Sequence, residues 1–114
     1  METCDLIRPH LQRLVADLVL GDFTAIVVDG RNGQLTAEEI QRAVDEYPER
    51  LSSPPISAFD TLDMIRVITS PKPTFSIDFD MWSEGHQIDL TLSCTVVVEA
   101  SGQVAIRIDN LHVL

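Results

Sequence analysis

The chain has 114 residues, 18 acidic and 8 basic side chains, a formal charge of −10 and a pI near 4.4. Apolar residues make up 45% and charged residues 23%, a globular composition that excludes intrinsic disorder, collagen-like repeats and a disulfide scaffold. So negative a balance also excludes a nucleic-acid binder or a binder of anionic membranes, because both need clustered Lys and Arg.

The pattern divides the chain into a helical half, about residues 5–50, and a strand half, about 60–114, read together as one domain over 1–114. Leu11, Leu14, Val15, Leu18 and Val19 recur at helical spacing and make one apolar stripe. Pro9 is expected in the first turn of that helix, where its missing N–H costs nothing. Gly21 and Asp22 end it, and Asp22 can cap a short segment from Phe23 to Val28. The next helix carries the strongest local signal. Thr36 and Glu39 have capping-box spacing, and Leu35 with Ile40 has the spacing of a hydrophobic staple. Ile40, Ala43, Val44 and Tyr47 form its buried face, and Pro48 stops it. A Ser/Pro-rich loop, Leu51 to Ser57, is expected on the surface.

The period then changes to two. Leu62 to Thr69 reads as a strand, and Pro71 and Pro73 mark the turn after it. In Thr74 to Trp82, Phe75, Ile77, Phe79 and Met81 alternate with Ser76, Asp78, Asp80 and Trp82. Ile88 to Val98 alternates in the same way, and after the turn at Ser101-Gly102 a last strand begins at Val104. Its phase slips at Asp109-Asn110, and a bulge there keeps Ile108 and Leu111 on one face. The expected fold is α+β: two or three N-terminal helices packed on one face of a four-stranded antiparallel meander.

Few constellations carry chemistry. Val28 to Glu39 imitates a calcium loop, with Gly33 as the turn glycine and Glu39 at the twelfth position. Val28 and Gly30 then occupy positions that require oxygen ligands, so turns and a helix cap explain the run better. His10, His86 and His112 fit no metal or triad spacing; His86 reads as a turn residue and His112 as a packed, hydrogen-bonded one. No nucleophile elbow, phosphate-cradling loop or cofactor motif is present. Cys4 and Cys94 lie far apart in sequence, and Cys94 reads as a small buried hydrophobe. No catalytic or metal-binding residue and no cofactor is therefore assigned. The absence of an apolar run long enough for a membrane span, and of a signal segment, points to a cytoplasmic protein.

From Thr74 onward one basic residue, Arg107, faces six acidic ones. Alternation puts Asp78, Asp80, Asp89 and Asp109 on the outward face of the sheet, because unpaired carboxylates cannot be buried. Trp82 either stands at the margin of that patch or folds back to cap the core. These five residues are the expected partner-binding set. The partner is expected to be a basic protein, with neither nucleic acid nor membrane involved.

Gly21-Asp22-Phe23, Leu35 to Glu39, Asp78 to Trp82, Asp89 to Leu92 and the terminus Ile108 to Leu114 together resemble an uncharacterised family of small acidic bacterial domains. In general appearance the chain is similar to small immunity-type proteins encoded beside bacterial toxins. It also looks somewhat like the helix-plus-curved-sheet class that includes nuclear-transport-factor-like and cystatin-like folds. The family carries no established activity to transfer; the leading reading, which rests on charge, is a non-enzymatic protein-binding module of immunity- or antitoxin-like kind. A small-molecule-binding or hydrolytic domain, with a cavity between helices and sheet, would need polar residues pointing inward. Phe75, Ile77, Phe79, Ile88, Leu90, Leu92, Val104 and Ile106 supply none. A homodimerisation module using a free strand edge is the third reading.

Overall fold

Two helical caps and a sheet that alternates over most of its length organise the chain. The structure, a computed structural model, describes residues 3–113. Helix α1 spans Thr3–Leu20, α2 Phe23–Val28 and α3 Ala37–Glu46. A short 3₁₀ turn, Ile56–Phe59, leads into β1 (Asp63–Arg66), β2 (Thr74–Ser83), β3 (His86–Val98) and β4 (Val104–Val113). The strands pair in the order β1-β2-β3-β4, all antiparallel, so the sheet is a meander with the helices N-terminal to it. Leu114, the end of the terminal motif, lies outside the described residues.

Helix α1 starts earlier than Pro9 allows for a first-turn proline, and Pro9 lies inside it. The ring removes one intrahelical donor. Ile7 and Leu11, on either side of it, have no exposed surface, and their burial with Leu14, Val15 and Leu18 carries the helix through. Asp22 caps α2 by accepting from the Ala25 N–H at 3.2 Å. Thr36 and Glu39 close the capping box of α3, each bond 3.1 Å, and Tyr47 ends the helix in extended geometry just before Pro48. Ile40 of α3 is fully buried.

The Ser/Pro segment is more deeply built in than its composition suggests. Leu51 is buried, the Ser52 N–H donates to the Trp82 carbonyl at 2.8 Å, and Ser83 Oγ donates to the Arg50 carbonyl at 2.6 Å. The segment thus continues along the end of β2 where β1 no longer pairs. Phe59 stacks on Phe79, with ring centroids 4.8 Å apart, and locks the 3₁₀ turn to the inner face of the sheet. β1 is shorter than the expected Leu62 to Thr69, because beyond the bond from Val67 N–H to the Thr74 carbonyl the chain turns at Ser70.

Two irregularities shape the sheet. The register of β3 on β4 shifts between Ser93 and Cys94, so that Ser93 faces Asn110, Cys94 faces Ile108, and Asp109 is the extra residue. This is the bulge that the polar pair Asp109-Asn110 calls for. The second irregularity lies between Asp80 and Trp82, where Ile88, Asp89 and Leu90 of β3 pass one residue of β2. β2 and β3 join through a tight turn in which Glu84 and Gly85 both have positive φ, 48° and 81°, the backbone of a two-residue hairpin with matching twist.

Beyond α2, the turn from Asp29 to Leu35 seals part of the β4 edge. The Ile108 N–H donates to the Arg31 carbonyl at 2.7 Å. Gly33, at φ 56°, passes so close that a Cβ there would lie 2.4 Å from the Ile108 carbonyl oxygen. Arg31 Nη2 anchors the turn to the helices, 2.7 Å from Asp17 and 2.9 Å from Asp29.

Thr36→Ala is expected to lower stability by about 1 kcal/mol, read as a shifted urea midpoint at unchanged slope. Gly33→Ala is expected to cost more, roughly 2 kcal/mol, because both the positive φ and the contact with Ile108 oppose it; an unchanged midpoint would place the turn elsewhere.

Candidate functional site

The pleat of β2 points Ser76, Asp78, Asp80 and Trp82 away from the helices. Ile77, Phe79 and Met81 between them are buried. Across the ladder, β3 sets Thr95 beside Ser76, Ser93 beside Asp78 and Thr91 beside Asp80. Neutral donors hold the carboxylates. Ser93 Oγ donates to Asp78 at 2.6 Å, while Thr91 Oγ1 and Gln87 Nε2 donate to the two oxygens of Asp80 at 2.8 and 2.6 Å. Asp109, on its bulge, accepts from Thr95 of the same face and lies 3.6 Å from Arg107 Nε.

β1 brings a carboxylate that pattern reading placed on no face. Asp63 is the direct cross-strand partner of Asp78. Like charges directly opposite one another on an antiparallel pair are destabilising. Among the described residues, no Lys, Arg or His lies within 4.0 Å of Asp63, Asp78 or Asp80 in an ion pair. The three carboxylates line a groove of about 310 Å³, closed on one side by Ala58 and Leu62 and at its end by the half-buried Trp82. Trp82 therefore takes the marginal place beside the acidic groove, its backbone fixed by Ser52.

Asp89 does not join this group. It sits in the irregular stretch of β3, and its carboxylate accepts a hydrogen bond from the Tyr47 hydroxyl at the end of α3, so it is tied to the helical layer. Strict alternation misses this because the ladder between Asp80 and Trp82 is not regular. Of the expected set, Asp78, Asp80, Trp82 and Asp109 share the outer face, while Asp89, exposed between the buried Ile88 and Leu90, is held by Tyr47 and does not line the groove.

Several of the other polar side chains singled out by the sequence are held by structural partners. In the calcium-loop mimic, the Glu39 carboxylate is committed to the Thr36 N–H and the Asn32 amide to the Leu35 carbonyl, 2.6 Å away. His86 opens β3 just after the hairpin turn, its Nε2 3.1 Å from Glu49. His112 is half-buried, and its Nδ1 has no hydrogen-bond partner among the described residues, contrary to the expectation of a hydrogen-bonded histidine. Cys4 and Cys94 are free thiols. Burial pushes the Cys94 thiol up to about 12, with the charges of Asp109 and Asp78 adding to the effect, so it behaves as an inert apolar group. No helix among the described residues is long and apolar enough to cross a membrane.

A family model described as domain of unknown function (DUF7668) matches residues 15–114, from the second half of α1 through the whole sheet. The chain belongs to this family. No curated protein and no solved structure matches it.

Tyr47 is the only tyrosine, so its titration can be read directly. The hydrogen bond to Asp89 is the main cause that raises its pKa above the ordinary value, because it favours the neutral phenol. The absorbance change of phenolate formation is expected above pH 10 in the folded protein and nearer 10 in Asp89→Asn. A raised folded-state pKa means that this contact stabilises the fold below the unfolded value. Its contribution fades as pH rises through the folded one.

Proposed function

We propose that the protein is a non-enzymatic binding module whose acidic sheet face docks a basic protein, in the manner of an immunity or antitoxin-like protein. The observation that carries this reading is the placement of Asp63 opposite Asp78, with Asp80 beside them and no cation to neutralise them. A fold under selection for stability alone has no reason to oppose two carboxylates in a ladder, a repulsion of about 0.2–1 kcal/mol. The hydroxyls of Thr91 and Ser93 and the Gln87 amide hold the carboxylates without cancelling their charge, so they are pre-oriented for an incoming Lys or Arg. Trp82 at the end of the groove adds a half-buried aromatic surface of the kind that concentrates interface energy. The formal charge of −10 steers a basic partner from a distance. A toxin that binds nucleic acid through a basic surface has the complementary charge. An acidic module seated there would occupy the place of the phosphates.

The test is kinetic. A partner captured from the host with wild-type protein is expected to associate about tenfold more slowly with Asp78→Lys/Asp80→Lys, with a shallower salt dependence. The thermal midpoint of the variant should be unchanged or higher, because Asp63 then faces an opposite charge. Equal association rates for the two proteins would remove this face from the function.

A further inference from the structure

The turn that joins α2 to α3 carries a chemically reactive pair. Asn32 is followed by Gly33, whereas the other asparagine, Asn110, is followed by Leu111. The carboxamide of an asparagine is open to attack by the peptide nitrogen that follows it, which makes the residue thermolabile. A glycine in the next position leaves that nitrogen unshielded, because it has no side chain. Asn32 is half-buried and Gly33 is exposed, so solvent reaches the pair.

The fold holds both residues in place. Asn32 Nδ2 donates to the Leu35 carbonyl at 2.6 Å, and the Leu35 N–H donates back to the Asn32 carbonyl at 3.0 Å. Gly33 has a φ of 56° and lies so close to the Ile108 carbonyl oxygen that no Cβ would fit. One residue earlier, the Arg31 carbonyl accepts from the Ile108 N–H at 2.7 Å, and the Arg31 side chain is anchored by Asp17 and Asp29. Attack on the carboxamide requires that group to leave Leu35 and the Gly33 peptide to rotate. Ile108 gives the peptide no room to do so, and the reaction waits for the turn to open.

We propose that Asn32 is a deamidation site held off by the latch of this turn on β4, and that its conversion releases the latch. The Gly33 nitrogen attacks Asn32 Cγ and a new C–N bond forms. The Cγ–Nδ2 bond breaks, and ammonia leaves with the proton that the Gly33 nitrogen gives up. The product is a five-membered imide. Water, the co-reactant, then opens the ring at either carbonyl, returns a proton to the nitrogen and leaves an aspartate or an isoaspartate.

Both products undo the contacts that delayed them. An aspartate has no donor for the Leu35 carbonyl and sets an anionic oxygen against it. An isoaspartate also carries the main chain through its side-chain carbon, which adds one methylene between residue 32 and Gly33, where Ile108 leaves no slack. Leu35 stands directly before the Thr36 cap, so the entry to α3 loosens with the turn. The preceding pair, Asp29-Gly30, closes such a ring only by losing water, and reopening restores its original mass. Mass therefore tells the two sites apart.

The test incubates the protein in mildly alkaline buffer, folded and in urea. Conversion is mapped by peptide mass and by enzymatic methylation of isoaspartate. Asn32 is expected to convert at least about tenfold more slowly in the folded protein than in urea. Asp17→Asn removes one anchor of Arg31, so it should raise the folded-state rate and leave the rate in urea unchanged. Asn32→Asp stands in for the aspartate product. In this variant the Ile108 amide should exchange hydrogen faster than in wild type, while the β2–β3 ladder stays protected. Equal rates in the folded and urea-unfolded protein would overturn the proposal, as would conversion chiefly at Asn110. So would an Asp17→Asn rate equal to that of wild type, or unchanged protection of Ile108 in Asn32→Asp.

Discussion

The register of β2 against β3 is the constraint on which the rest depends. Ile77 on Cys94 and Phe79 on Leu92 bury four side chains against the helices, and the pairs that alternate with them, Asp78 with Ser93 and Asp80 with Thr91, must face outward. A slip of one residue would exchange the two faces and drive both carboxylates into the core. Burying them unpaired would cost several kcal/mol each, comparable to the whole net stability of a domain. The same contacts that build the core therefore fix the position of every charged group on the outer face. The hydroxyls of β3 then set how those groups are oriented.

Local chemistry made much of this legible from sequence. The capping box at Thr36 and Glu39 needs only residues three apart, and the alternation of Phe75 to Met81 needs only the pleat. Even the bulge at Asp109 shows as a phase slip between two apolar sets. What stayed hidden depended on pairing between distant segments. Asp63 gains its meaning from lying opposite Asp78, which requires the β1–β2 register. Asp89 leaves the patch because the ladder stretches between Asp80 and Trp82, and its bond to Tyr47 joins residues 42 apart in sequence. Pro9 was misplaced for a related reason: the propensity rule that keeps proline in the first turn was outweighed by tertiary burial of Ile7 and Leu11. Leu51 and Ser52 read as surface loop from composition, yet they take the place of β1 along the end of β2.

The two edges of the sheet are handled by different means. On the β1 side, a short strand gives way to the Ser/Pro segment and the 3₁₀ turn, which Phe59 clamps onto Phe79. On the β4 side, the Arg31 turn supplies one carbonyl to Ile108 and then departs. The ion cluster of Arg31 with Asp17 and Asp29 explains how so short a turn holds its position, since it ties the turn to α1 from within the protein. Breaking one partner of such a buried cluster would leave an uncompensated charge, so the turn is fixed more firmly than its polar composition suggests.

The proposed docking groove has a definite physical character. It rests on charge that the fold leaves unneutralised, so its effect is on encounter and is weakened by salt. On the outer face, β3 presents Ser93, Thr95 and Val97 between the groove and β4, and β4 presents Arg107 beside Asp109. Arg107 answers the Asp109 carboxylate, whereas among the described residues no cation stands beside Asp63, Asp78 or Asp80. The unneutralised charge is therefore concentrated on the β1–β2 side of the face, and that side, rather than the sheet as a whole, is where a basic partner would be drawn.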